Sequence, residues 1–220
     1  MIDIIFEDNH LLVVEKPANI PVQEDNSKDK DMLNLLKAYL KEKYNKPGNV
    51  YLGLVHRLDR PVGGVMVFAK TSKAANRLSK QIQNNEWNKT YYTIVEGKME
   101  PTHGTLIDYL KKDSKTNTVT VTDDKNGKYA ELDYQVFGYK DSLSLLKIKL
   151  KTGRSHQIRV QLSSRGFPIW GDQRYNKNSK PGQQIALWSQ QLSFGHPISK
   201  KIVSFTSELP NSHPWNLFNH

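Results

Sequence analysis

The chain has 220 residues, with 32 lysines and arginines against 22 aspartates and glutamates, which gives a formal net charge of +10. Hydrophobic residues make up 37% of it and cysteine is absent, which is typical of a folded protein and excludes disulfides and thiolate metal sites. The amino terminus lacks the pattern of a signal peptide, and no apolar run is long enough to be a transmembrane helix. We therefore expect a cytoplasmic protein without membrane association. The basic charge favours a polyanionic partner, although a generally basic protein without such a partner stays possible.

Two short apolar runs open the chain, at 2–6 and 11–15, and a polar turn separates them. This pattern predicts two strands. Pro17 then ends the second strand, because proline cannot donate to a strand ladder. A helical period follows, with Asp31 as a possible cap at its start and Pro47 beyond its end.

The most informative stretch is 54–70, which reads LVHRLDRPVGGVMVFAK. An apolar run at 50–55 and a second at 65–69 enclose a charged loop, so strand, loop, strand is the simplest interpretation. Within the loop Asp59 lies between Arg57 and Arg60, and neighbouring cations lower the pKa of a carboxyl group. We therefore expect an ionised Asp59 that can serve as a nucleophile or base. The alternative is a surface turn whose ion pairs contribute at most about 1 kcal/mol.

A second helix and a further strand follow this loop. Thr71 or Ser72 can cap the helix, and the strand covers 89–97, where β-branched and aromatic residues are concentrated. Tyr91 and Tyr92 must point to opposite faces of that strand, so at most one of them faces a site. The helical region also carries four cations that form either a binding patch or a solvated face: Lys70, Lys73, Arg77 and Lys80.

The segment 104–150 alternates in short runs broken by turn residues, which predicts a meander of antiparallel strands. The predicted strands are 105–110, 118–121, 129–137 and 143–150. No linker or internal repeat interrupts the sequence. The predicted fold class is therefore α+β, with a mostly antiparallel mixed sheet flanked by a few helices in a single domain covering 1–220.

A second informative stretch, 151–160, reads KTGRSHQIRV. Ser155 can cap a short helix that ends near Gly166, and a helix amino terminus favours anions. Four polar side chains would cluster there, unless they are separate surface groups: Arg154, His156, Gln157 and Arg159. The remaining strands are predicted at 184–188, 192–197 and 202–205, with His196 as a turn histidine.

Several of these motifs together resemble the RluA family of RNA pseudouridine synthases. They are Glu-Asp-x-x-Leu-Leu-Val-Val-x-Lys-Pro at 7–17, His-Arg-Leu-Asp at 56–59, Lys-x-Tyr at 89–91, Thr-Gly-Arg-Ser-His-Gln-Ile-Arg-Val at 152–160 and Leu-x-Phe-x-His-Pro at 192–197. They occur in the order found in the family and cover almost the whole chain. The resemblance implies a pseudouridine synthase-like catalytic domain that isomerises specific uridines in rRNA or tRNA.

The resemblance also implies roles for single residues. Asp59 would be the essential catalytic residue, Arg154 would pair with it, and Tyr91 would face C5 of the uracil of a flipped-out nucleotide. Arg57 would fill the space that this nucleotide leaves. The remaining candidates for contacts with RNA are His56, Lys89, Gln157 and Arg159. No metal or other cofactor is implied, and we expect a monomer.

The sequence departs from the family pattern at four positions. Val62 and Gly63 replace a usual Thr-Ser pair, while Gln161 and Phe167 each replace a histidine. We also expect no S4-type RNA-binding domain, because the catalytic motifs begin at once.

Two other functions stay open. A catalytically silent RNA-binding protein would keep the basic surface. A glycosidic hydrolase would need a second carboxylate about 5–10 Å from the first, for which Asp172 is the obvious candidate.

Overall fold

A computed structural model describes residues 2–25 and 27–218 of the chain, which form two compact units. The first unit runs up to residue 87 and includes 191–207. The second unit contains 88–190 and the residues from 208 onward.

Strands make up most of the regular structure in both units. In chain order they are β1 Asp3–Glu7, β2 Leu11–Lys16, β3 Gly53–Leu54, β4 Gly63–Ala69, β5 Asn88–Glu96, β6 His103–Asp113, β7 Thr118–Thr122, β8 Lys128–Lys140, β9 Leu143–Leu150, β10 Leu187–Gly195 and β11 Ile202–Thr206. In the described part of the chain the α-helices are α1 Met32–Lys43, α2 Ser72–Gln83 and α3 Gln157–Ser163, and a 3-10 helix covers Trp215–Leu217.

In the first unit β2 pairs antiparallel with β1 and β4, β3 with β4, and β11 with β10. Residues of β2 and β4 on one face, such as Val13 and Val67, pack against Leu78 of α2 and the ring of Phe194. All of these side chains are almost fully buried. Val55, which begins the loop that joins β3 to β4, packs against this core.

The first two helices begin where the sequence predicts. The carboxylate of Asp31 accepts a hydrogen bond from the backbone N–H of Asn34 at 3.0 Å, and the hydroxyl of Thr71 accepts one from Ala74 at 3.1 Å. Both are ordinary amino-terminal caps. The periodic apolar residues of α1, such as Leu36 and Leu40, are buried as expected.

In the second unit the strand order is β5-β9-β8-β6-β7, and each neighbouring pair is antiparallel. The short helix α3 packs Val160 against Leu110, Val119 and Ala130 on one face of these strands. The predicted α+β class with a mostly antiparallel sheet and a few helices is confirmed.

Three local predictions are wrong. The strands predicted at 184–188 and 192–197 are a single strand, β10. Ser155 does not cap α3; His156 occupies the cap position in a left-handed conformation, with φ of 50°, and no side chain caps the helix. The predicted strand at 50–55 is reduced to Gly53–Leu54, because β2 covers one edge of β4 while β3 and β10 share the other.

None of the helices in the described segments is both long and apolar enough to cross a membrane.

Candidate active site

Asp59 lies half-buried in the loop between β3 and β4, and the backbone of this loop is held by Lys16. Lys16 ends β2 with 0% of its surface exposed. Its Nζ donates hydrogen bonds to the carbonyl oxygens of Pro17 at 2.9 Å, Arg60 at 3.0 Å and Val62 at 2.8 Å. A turn adds a bond from the N–H of Val62 to the carbonyl of Asp59 at 2.9 Å. The residues following Asp59 are thus fixed to the end of a core strand.

The charge of Lys16 is tuned by the same surroundings. Burial lowers the pKa of the Lys16 ammonium to about 7; the negative charge of Asp59 opposes this shift and the positive charge of Arg60 adds to it. Sequence analysis missed Lys16 as a functional candidate. The available signal was its alternation with Leu12 and Val14, which places a lysine in line with core positions of β2.

The guanidinium of Arg60 contacts carboxylates outside the Asp59 loop. Its guanidinium forms ion pairs with Asp25, at 3.7 Å, and with Asp29, and it donates to the carbonyl of Asn19 at 3.2 Å. Arg60 therefore ties the Asp59 loop to Asp25 and Asp29, whereas Arg57 is exposed.

His56 is anchored within the first unit. Its Nε2 accepts a hydrogen bond from the backbone N–H of Val67 at 3.0 Å, and its ring meets the ring of Trp87 edge-on with centroids 5.3 Å apart. An accepting Nε2 is unprotonated, so the ring proton lies on Nδ1. The histidine ties the Asp59 loop to β4.

Lys89 and Tyr91 lie on the same face of β5 in the second unit, because they are two residues apart. Tyr91 pairs with Ile148 of β9 and is 7% exposed. Burial lowers the pKa of Lys89, and the positive charge of Arg154 lowers it further, so the structure brings these two cations together. Arg154 is exposed, and its Nε donates to the carbonyl of Tyr129 at 2.7 Å.

Gln157 is 3% exposed, and all of its side-chain hydrogen bonds lie within the chain. Its Oε1 accepts from the hydroxyl of Thr152 at 2.8 Å and from the backbone N–H of Arg154 at 3.0 Å. Its Nε2 donates to the carbonyl of Glu131 at 3.1 Å and to Oε1 of Gln161 at 3.0 Å. This amide uses both lone pairs and both protons. It holds the turn that carries Arg154.

Gln161, which departs from the family pattern, extends this network. Its Nε2 donates to Oδ2 of Asp108 at 2.7 Å and to the carbonyl of Leu106 at 3.2 Å. A line of buried amides therefore connects β6 to the Arg154 turn.

Arg159 forms a buried two-bond pair with Asp172. Its Nε and one terminal nitrogen lie 2.8 and 2.7 Å from the two carboxylate oxygens, and its guanidinium stacks 5.1 Å from the ring centroid of Tyr175. Asp172 also accepts from the backbone N–H groups of Arg174 and Tyr175. It is 1% exposed and saturated, so it is poorly suited to act as the second carboxylate of a hydrolase.

His196 behaves as the turn histidine that was predicted. Its Nδ1 accepts from the N–H groups of Ile198 and Ser199, and its Nε2 lies 2.9 Å from Oδ2 of Asp8. In the part of the chain that the structure describes, no three His, Asp or Glu side chains are grouped as a metal site would need.

Comparisons with known proteins give the family of the chain. A family model described as RNA pseudouridylate synthase matches residues 10–164. Ribosomal large subunit pseudouridine synthase D of Zymomonas mobilis is 35% identical, over 95% of this chain and 69% of the relative. An uncharacterized RNA pseudouridine synthase of Bacillus subtilis, YhcT, is 34% identical over the same shares.

The fold is also found among solved structures. Human RNA pseudouridylate synthase domain containing 4 superimposes with a TM-score of 0.79 at 22% identity, over 94% of this chain and 88% of the human chain. The family model and the relatives cover most of the sequence, including the motifs at 56–59 and 89–91 and the turn that carries Arg154. This chain therefore belongs to the RluA family of RNA pseudouridine synthases, which are isomerases.

Proposed function

We propose that the chain converts specific uridines of RNA to pseudouridine with Asp59 as the essential residue. The observation that carries this proposal is the fixed Asp59 loop, in which a buried ammonium binds the carbonyls of Arg60 and Val62. A carboxylate that attacks or deprotonates a sugar must be held in place, because misplacement of a reacting group slows a reaction steeply. The fold and family are those of enzymes that isomerise uridine.

The proposed reaction needs no co-reactant. The target uridine leaves its stack, at a cost of a few kcal/mol that contacts with the protein offset. Asp59 then starts cleavage of the bond between C1′ and N1, either by attack on C1′ or by removal of the 2′ proton. The detached uracil turns and bonds to C1′ through C5, and the proton on C5 is lost while N1 gains one. Product and substrate are isomers.

The other site residues receive separate roles in this proposal. Tyr91 assists the loss of the C5 proton. Arg154 supplies the positive charge that keeps the catalytic carboxylate ionised. Arg57, which is exposed, fills the space vacated by the uridine, and Lys89 contacts RNA phosphate. The remaining predicted contacts, His56, Gln157 and Arg159, are bonded within the chain, so we assign them to positioning rather than to direct RNA contact.

The substrate proposed is ribosomal RNA or transfer RNA, and the names of the relatives from Zymomonas mobilis and Nitrosomonas europaea favour the large ribosomal subunit. We take residues 1–220 to work as one catalytic domain, in a monomer that acts in the cytoplasm on its RNA.

The test measures release of tritium from C5 of labelled uridine in ribosomal and transfer RNA. The chain should release label, Asp59→Asn should release none, and Tyr91→Phe should release little. Asp124→Asn, which changes an exposed carboxylate far along the sequence, is the control and should match the wild type. Tight RNA binding without release from either RNA would favour the silent RNA-binding protein instead.

A further inference from the structure

One face of the sheet of the second unit is covered by α3, and the opposite face, called the open face below, is covered at one end, where the ring of Phe218 lies against Gly138. Neighbouring residues on a strand point to opposite faces, so the face that contacts α3 is the one opposite Tyr109 and Tyr129. Across the open face the strands align Tyr92 with Lys147, and Lys147 with Gln135. On this face Phe137 is 52% and Ile107 is 51% exposed, whereas Thr90 and Ile94, which alternate with Tyr92 along β5, are buried.

Two aromatic pairs lie on this open face. Tyr92 and Phe137 meet edge-to-face with centroids 5.9 Å apart, and Tyr109 and Tyr129 do so at 5.9 Å. Phe137 is at a β-bulge of β8, which leaves it standing beside Tyr92. At about 3.3 Å per residue the two pairs lie about 25 Å apart along β8. They are separate platforms rather than one apolar patch.

Lysines occupy the space between the two pairs. Lys147 and Lys149 alternate along β9 on the open face, opposite Gln135 and Asp133. The Nζ of Lys147 lies 5.8 Å from the ring centroid of Phe137. Lys151 pairs with Asp133 at 3.1 Å and with Glu131 at 2.8 Å, so three lysines, 147, 149 and 151, stand against these two carboxylates. The face is left with an excess of positive charge.

We propose that this open face, defined by Tyr92, Phe137, Tyr109, Tyr129, Lys147 and Lys149, binds a single-stranded segment of RNA. Exposed rings on a sheet stack unpaired bases, and lysines beside them attract the phosphates. Charge complementarity favours RNA over a protein partner, since the rings stand among cations. The inference rests on RNA being the ligand of this chain, but it does not need the roles assigned to Asp59 and Tyr91. Tyr91 points to the opposite face of β5 from Tyr92.

The first test measures binding of a labelled single-stranded oligocytidylate of about 12 nucleotides by fluorescence anisotropy. This probe has no uridine and thus cannot be a substrate. Phe137→Ala should weaken binding about tenfold, because each stacked base contributes a comparable factor. Phe137→Tyr should restore it. Ile107→Ala removes an equally exposed apolar side chain without a ring, and it should leave binding within about twofold of the wild type.

The second test follows binding against salt concentration. Replacing both Lys147 and Lys149 by Gln should lower the slope of log affinity against log salt by about 0.7 for each phosphate that the protein no longer neutralises. The matched control replaces Lys200 and Lys201, which are exposed in the first unit, and should leave the slope unchanged.

Three results would overturn the inference. If Phe137→Ala binds as tightly as the wild type, the ring of Phe137 does not stack a base. Equal affinity for a duplex of the same length would mean that phosphates alone are recognised. A change of oligomeric state in Phe137→Ala would mark the face as an interface between copies. Asp59→Asn should bind the oligocytidylate normally, so failure of the catalytic proposal and failure of this one produce different results.

Discussion

Lys16 carries a buried ammonium group bonded to three backbone carbonyls, and its pKa is lowered to about 7 by burial. In the unfolded chain its pKa returns to the ordinary value of 10.5. Between these two values the unfolded state holds a proton that the folded state has lost. The free energy of unfolding must then rise with pH, because the unfolded state binds more protons. This contribution is smallest below pH 7 and grows toward pH 10.

We therefore expect the wild type to gain stability relative to Lys16→Met as the pH rises from 7 to 9. The gain should approach about 1.4 kcal/mol per pH unit, the limit for one proton. Urea unfolding at pH 7, 8 and 9 measures it. Lys41→Met, which changes an exposed lysine of α1, should show no such trend. Parallel stability curves for wild type and Lys16→Met would contradict this role of Lys16.

Gln157 holds the turn that carries Arg154 through hydrogen bonds of its side-chain amide. Gln157→Leu removes the acceptor for the N–H of Arg154 and the donor to Oε1 of Gln161, which is fully buried, and an unsatisfied buried group costs about 1–3 kcal/mol. Gln157→Glu keeps the acceptor for Thr152 and Arg154. If Gln157 positions Arg154, kcat should fall more in the Leu variant than in the Glu variant, with KM little changed in both.

The measurement compares kcat and KM for tritium release, beside urea unfolding of both variants. Gln83→Leu, exposed on α2, is the control. A purely structural role of Gln157 predicts instead that activity follows the folded fraction, with equal kcat per folded molecule in both variants.

At the scale of elements, α1 and α2 could be predicted because their signals are local. Asp31 and Thr71 cap the following turn with their own side chains, and the apolar period then fixes which stripe is buried. The start of α3 could not be predicted in this way. There the side chain of Gln157 accepts a hydrogen bond from the backbone N–H of Arg154, three residues earlier, and His156 adopts a left-handed conformation. Gln157 also donates to the carbonyl of Glu131, so the turn depends on contacts with β8.

The length of strand β3 also could not be predicted from the sequence. Val50, Leu52 and Val55 have the composition of a strand, yet only Gly53–Leu54 pairs, opposite Ala69 and Phe68 of β4. Pairing requires a free edge, and the edge of β4 is shared with β10. The apolar pattern reports burial, which is correct for Val50 and Leu52, but it contains no information about which edge is available.

The segment after α3 depends on the ion pair of Arg159 with Asp172, which ties the helix to the turn at 172–175. Asp172→Ala should destabilise the protein by about 3–5 kcal/mol, because it removes the carboxylate that faces a buried guanidinium. The double variant Arg159→Met with Asp172→Leu should lose less than the single one, since it removes both charges. Urea unfolding measures both. A double variant less stable than Asp172→Ala would show that the attraction between the two charges matters more than the cost of burying one charge without the other.

At the scale of the whole molecule, the ordered motifs predicted the family, and the residues proposed to carry its chemistry lie in the kinds of element that the patterns indicate. Asp59 lies in a loop, Tyr91 on a strand and Arg154 in a turn, as the patterns indicate. The ion-pair partners of the charged residues in the Asp59 loop could not be predicted from the sequence. Arg60 pairs with Asp25 and Asp29, and apolar periodicity contains no information about such pairs between polar residues.

The most direct measurement of the central proposal is nucleoside analysis of ribosomal RNA after incubation with the purified chain. Digestion to nucleosides should show pseudouridine gained in equal amount to the uridine lost, with no free uracil. Asp59→Asn, folded as judged by its urea unfolding curve, should form none. Free uracil would instead identify a glycosidic hydrolase. Pseudouridine formed equally by Asp59→Asn would contradict the essential role of that carboxylate.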